Sequence, residues 1–123
     1  MRINIKTTHI ELTPEIEKYI EKRLGAFNKF LGRDSMNSLC EVEVGKTTEH
    51  HKSGNVFKAE VNLTCGGKNF YAVSEKSDLY SAIDEVKDEI LQKLKSNKEK
   101  RITIMKKGAL KIKNLIKGLD FWK

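Results

Sequence analysis

Residues that could carry chemistry are sparse in this sequence. His50 and His51 follow Glu49 and could supply ligands to a metal ion. Adjacent side chains on an extended segment point to opposite sides, so the two histidines cannot converge on one ion without a special turn. Their surroundings, Thr47 to Gly54, are polar, and the expectation is a loop tip and no metal. Cys40 and Cys65 make no CxxC and no zinc-type spacing. Each falls at an apolar position of a predicted strand and is expected as a small buried hydrophobe. His9 stands alone. GxGxxG, P-loop, GxSxG and HExxH motifs are all absent from the sequence. No acid/base pair or nucleophile has a partner at a motif spacing. The expectation is a non-enzyme with no cofactor and no small-molecule substrate.

What remains is charge. The chain has 123 residues, one ordinary domain, and a net charge of +7. Residues 1–86 carry 12 basic and 13 acidic residues, whereas residues 87–123 carry 12 and 4. The whole positive excess therefore sits in the last third, which points to nucleic acid or an anionic surface as partner. A tail serving solubility would not require such segregation. The longest stretch free of Asp, Glu, Lys and Arg is seven residues, Val61 to Gly67, too short for a membrane helix. The N-terminal residues show no apolar signal region, so the expected location is the cytoplasm.

The elements that must position these charges follow from periodicity. Ile3 and Ile5 alternate with polar residues as a first strand. Thr13-Pro14-Glu15 reads as a helix start, with Thr13 as cap, Pro14 in the first position and Glu15 at the positive end of the dipole. Ile16, Tyr19, Ile20, Leu24, Phe27 and Leu31 continue one apolar face, and Gly32 is the expected stop. Cys40, Val42 and Val44 alternate with Glu41 and Glu43. Phe57 to Cys65 alternates in the same way. Gly66-Gly67 is a two-residue hairpin turn, and Asn69 to Ser74 returns as a strand. Ser77-Asp78 caps a second helix with Leu79, Ile83, Val86, Ile90 and Leu94 on its apolar face. That stripe fades after Leu94. The order β-α-β-β-β-α predicts an α+β fold: a four-stranded sheet with two helices packed on one face. Residues 1–101 form that unit, and residues 102–123 form a basic C-terminal extension. In the extension Ile112, Leu115, Ile116 and Leu119 recur at helical spacing, with Gly108 and Gly118 weakening the helix.

The sheet's exposed face should carry Glu41, Glu43, Lys58, Glu60 and Asn62, with Tyr71 as its one stacking candidate. An RNA-stacking sheet needs several aromatics in one strand. The basic residues lie on the helices instead: Lys22, Arg23 and Lys29 on the first, and Lys87, Lys93, Lys95, Lys98, Lys100 and Arg101 on and beyond the second. Such lysines contact phosphates and recognise shape. These nine residues are the candidate RNA-binding set.

Two stretches resemble the ribosome hibernation promoting factors, also called ribosome-associated inhibitor or sigma-54 modulation proteins. One is His9-Ile10-Glu11-Leu12-Thr13-Pro14-Glu15-Ile16 with the helix ending Phe27-Asn28-Lys29-Phe30-Leu31. The other is Asp78-Leu79-Tyr80-Ser81-Ala82-Ile83-Asp84, similar to the family's D-M-Y-x-A-I-D. The resemblance covers residues 1 to about 101. It implies a non-catalytic stress factor that occupies the messenger and transfer RNA channel of the small ribosomal subunit and inhibits translation. Arg23 and Lys29 match basic positions of the family's first helix. The family's basic K-L-x-R-Q-L stretch reads Glu89-Ile90-Leu91-Gln92-Lys93-Leu94 here, with Glu89 and Gln92 at its basic positions. Long members carry a linker and a separate dimerisation domain, for which residues 102–123 are too few. Three other readings stand beside this one: a general structured-RNA-binding module, a protein-interaction module acting on a transcription factor, and, more remotely, a membrane-surface segment at Ile112 to Trp122.

Overall fold

The computed structural model describes residues 1–47 and 54–120 and, beyond Lys100, the side chains of residues 102 and 106–108 alone. The His50-His51 loop and the end of the Ile112 to Trp122 segment lie outside the described residues.

Alternating polarity builds the sheet. In β1 (Arg2–Thr8), exposed Arg2, Asn4 and Lys6 alternate with half-buried Ile3 and Ile5. In β2 (Leu39–Lys46) and β3 (Phe57–Cys65), Cys40, Val42, Val44, Ala59, Val61 and Leu63 point to the core. β4 (Lys68–Lys76) adds Ala72 and Ser74 to that face. The strand order is β1-β2-β3-β4. β1 runs parallel to β2, and the other two pairings are antiparallel. A parallel pair needs a long crossover, which the helical segment between β1 and β2 supplies. The β3–β4 hairpin turns on Gly66 and Gly67, whose φ values of 57° and 76° suit a turn that requires positive φ at both positions.

The first helix begins as its sequence dictates. Thr13 Oγ1 accepts the Ile16 N–H at 3.2 Å, and Pro14 opens α1 (Pro14–Leu24). The apolar stripe to Leu31 does not form one helix, however. A 3-10 turn occupies Gly25–Phe27, then comes α2 (Asn28–Leu31), then a second 3-10 segment, Gly32–Asn37. Gly25 has poor helix propensity, and tightening there keeps Leu24, Phe27 and Leu31 all on the core side. Gly32, with φ 54°, ends α2.

Asp78 Oδ2 accepts the Ser81 N–H at 3.1 Å and opens α3 (Leu79–Asp120). Leu79, Ala82, Ile83, Val86, Ile90 and Leu94 are buried against the sheet and α1. The helix then continues without a break, 42 residues in all, or about 63 Å. The fading stripe after Leu94 therefore marks where α3 leaves the body of the fold, not where it ends. Gly108 lies inside it, because a single glycine costs about 1 kcal/mol relative to alanine and does not stop a helix. The result is the expected α+β arrangement, a four-stranded sheet with helices on one face.

Candidate nucleic-acid interface

The two faces of the fold differ in how they hold their charges. Across the open sheet face, register places Lys6 beside Glu43, Glu43 beside Glu60, and Glu41 beside Asn62. Glu75 sits opposite Lys58. Thr8 Oγ1 donates to Glu43 at 2.7 Å, and Lys58 lies 3.6 Å from Glu60. Tyr71 is 47% exposed here, with the Glu60 carboxylate near its hydroxyl. Partial desolvation, then that carboxylate, raises the hydroxyl's pKa. The face is thus of mixed charge, with Arg2, Lys6 and Lys58 among Glu41, Glu43, Glu60 and Glu75, and it offers an RNA strand no row of aromatic platforms.

The helical layer gathers the cations, though not into one patch. Lys22 stands exposed in the last turn of α1. Arg23 faces α3, where its Nε lies 3.3 Å from Asp84 Oδ1 and its guanidinium packs 5.0 Å from the centre of the Tyr19 ring. Lys87 is mostly covered, and its Nζ lies 2.8 Å from Asp88. Lys93 donates to the Tyr71 carbonyl on the β4 side. Lys100 lines a groove on that side together with Phe70, Gln92, Lys93, Ser96 and Asn97. On the opposite flank of α3, Lys29 and Lys95 line a groove with Ala26, Phe30, Leu91 and Gln92. Lys98 adds to that side, with Nζ 5.8 Å from the Phe30 ring centre. The side chain of Arg101 lies outside those described.

Lys29, Lys95 and Lys98 are therefore the members of the candidate set that the fold brings together. Lys93 and Lys100 form a second group across the α3 crest, with exposed Gln92 bordering both grooves. Phe30 and Phe70, one in each groove, were not expected as site residues. Their signal was present as aromatic residues one and two positions from Lys29 and Lys68, in a chain whose partner is read as polyanionic. The engagement of Arg23 by Asp84 had no local signal, because the two are 61 positions apart.

The comparisons with known proteins agree with this fold. The profile of the family described as sigma 54 modulation protein / S30EA ribosomal protein matches residues 3–102. A ribosome hibernation promoting factor of Pseudomonas putida is 27% identical over 109 residues, covering 89% of this chain and 98% of that protein. One from Azotobacter vinelandii is 28% identical over 102 residues, covering 83% of this chain and 87% of the relative. Among solved structures, the N-terminal domain of Thermus thermophilus Protein Y superposes with TM-score 0.67 at 23% identity, covering 78% of this chain and 98% of that one. A ribosomal subunit interface protein from Coxiella burnetii gives TM-score 0.63 at 16% identity, covering 80% and 99%. These structural likenesses are likenesses of fold.

Proposed function

The chain belongs to the sigma 54 modulation protein / S30EA ribosomal protein family, and on that premise we propose that it is a non-catalytic ribosome hibernation factor of the cytoplasm. It binds the small ribosomal subunit in the messenger and transfer RNA channel and so inhibits translation in stress or stationary phase. The observation that carries this reading is the gathering of Lys29, Lys95 and Lys98 on the helical layer, opposite a sheet face of mixed charge. Such a domain approaches phosphates helix-first, and the carboxylates of its sheet face turn away from them. Lys22, Arg23, Lys87, Lys93, Lys100 and Arg101 complete the proposed RNA-facing set. Residues 102–123 act as a basic extension of the binding unit and carry further counterion-releasing charge.

The test is co-sedimentation with purified small subunits across a salt series, with bulk transfer RNA as competitor. Saturable binding at about one copy per subunit, weakening steeply with salt yet resisting the competitor, is the expected result. Binding that bulk RNA removes would favour a general structured-RNA module. Binding that survives nuclease treatment of the target would favour a protein-interaction module.

A further inference from the structure

The two grooves beside α3 differ in whether their polar groups are already engaged. On the β4 side, Lys93 is held by the Tyr71 carbonyl, and Asn97 accepts from Lys68 at 2.7 Å. On the α2 side, Lys29 and Lys95 make no ion pair among the described residues. That groove has a volume of about 410 Å³. Its floor is apolar, with half-buried Phe30 and Leu91 packed against the core. Lys29 and Lys95 line it, and the Lys98 ammonium sits over the Phe30 ring, 5.8 Å from its centre. The exposed Gln92 amide adds a neutral donor and acceptor.

This combination selects among polyanions. Duplex phosphates alone need cations and no aromatic floor. An apolar peptide needs the floor and gains nothing from three cations. An unpaired nucleotide uses every part: a π face for the ring, a base edge for the amide and phosphates for the lysines.

We propose that the groove between α2 and α3 receives one unpaired nucleobase of RNA. Its face lies on Leu91 and on the Phe30 ring, from which the Lys98 ammonium moves to a flanking phosphate; its edge meets Gln92, and Lys29 and Lys95 meet the phosphates beside it. The inference deepens the RNA-binding reading above and rests on it. It adds readout of an unstacked base to recognition by charge and shape.

The experiment is fluorescence anisotropy with a short single-stranded RNA, compared with the same strand carrying one central abasic site. The 123-residue chain should bind the abasic strand about tenfold more weakly at equal salt. Phe30→Leu should bind both strands alike, while keeping the wild-type dependence of affinity on salt. Should that variant fail to fold, Gln92→Leu at an exposed position decides the matter through loss of preference among bases at the central site. Equal affinity of the wild-type chain for both strands would overturn the proposal, as would unchanged discrimination in the variants. Co-sedimentation with small subunits, run in parallel, separates the two readings. Subunit binding without abasic discrimination overturns the groove alone. Discrimination without subunit binding supports the groove and overturns the ribosomal target.

Discussion

The Tyr19 hydroxyl donates to both carboxylate oxygens of Asp84, at 2.8 and 2.9 Å, and ties α1 to α3 across 65 positions of sequence. Arg23 reaches the same carboxylate, and Tyr80 meets the Tyr19 ring edge-on with centroids 4.7 Å apart. One carboxylate thus anchors the contact between α1 and α3, and α1 leads directly into the segment that carries Lys29 and Phe30. Asp84→Ala should destabilise the fold by about 1–2 kcal/mol, chiefly through the lost hydroxyl partner. The partly exposed Arg23 pair adds no more than about 1 kcal/mol after solvent screening. Urea denaturation of Asp84→Ala, Tyr19→Phe and the double variant measures this. The double variant should cost less than the sum of the singles, because both remove the same bond. Full additivity would show that the bond carries no stability.

The same contact predicts an alkaline response. Burial first, and then the bond to Asp84, raise the Tyr19 pKa above its ordinary 10.0. The folded state therefore favours the neutral hydroxyl. Its stabilising effect is complete below the ordinary tyrosine range and is lost as pH rises through the higher folded value. Melting temperature followed through the alkaline range should fall less steeply in Tyr19→Phe than in the wild type. Parallel curves would remove Tyr19 from the account.

The two cysteines should separate cleanly by reactivity. Burial, followed by the neighbouring Glu41 charge, pushes the Cys40 thiol up to about 12. Cys65 is only partly buried, and both thiols are free. Thiolate is the reacting form, so a disulfide reagent at neutral pH should label Cys65 in the native chain and reach Cys40 only on unfolding. Equal native rates at both positions would show that the sheet opens around Cys40 faster than the reagent reacts.

Glycine is required where β1 passes β2. Thr8 pairs with Gly45, and a Cβ at Gly45 would collide with the Thr8 carbonyl oxygen. Backbone cannot yield as a flexible side chain can. Gly45→Ala should therefore cost about 1–3 kcal/mol, read as a lower urea midpoint. Gly25→Ala is the control, since nothing lies within 4 Å of a Cβ there.

These positions show what the sequence makes legible. Strand alternation, the Thr13-Pro14 helix start and the double-glycine hairpin are local, and each appears where its pattern lies. Gly45 stands in an alternating strand, and only the pairing with Thr8 gives it a role. The break at Gly25 is not legible, because 3-10 and α turns present Leu24, Phe27 and Leu31 to the core alike. The sequence leaves the reach of α3 past Leu94 open, because periodicity reports burial, and α3 stops being buried before it stops being helical. The interface was legible as charge, which segregates along the chain. It was not legible as two grooves, because that division depends on which side of α3 each lysine faces.

That division makes the last prediction. Each lysine that neutralises a phosphate steepens the fall of binding with salt, by about 0.7 to 0.9 per contact in log–log slope. Lys29, Lys95 and Lys98 border one groove, and Lys29 and Lys95 are unpaired among the described residues. Replacing all three by Ala should lower the slope of small-subunit binding by about 2 to 3. Lys93 and Lys100 border the other groove, and the Lys93 ammonium is held at the Tyr71 carbonyl. Replacing those two by Ala should lower the slope by no more than about 1, because Lys93 meets a phosphate only by leaving that carbonyl. Each set removes charge from an exposed surface, so circular dichroism should show unchanged helix and sheet content in both. The reverse order of effects would move the RNA-facing surface to the β4 side of α3. Equal slopes in wild type and both variants would place the phosphate contacts elsewhere, with the basic residues beyond Lys100 as the next surface to test.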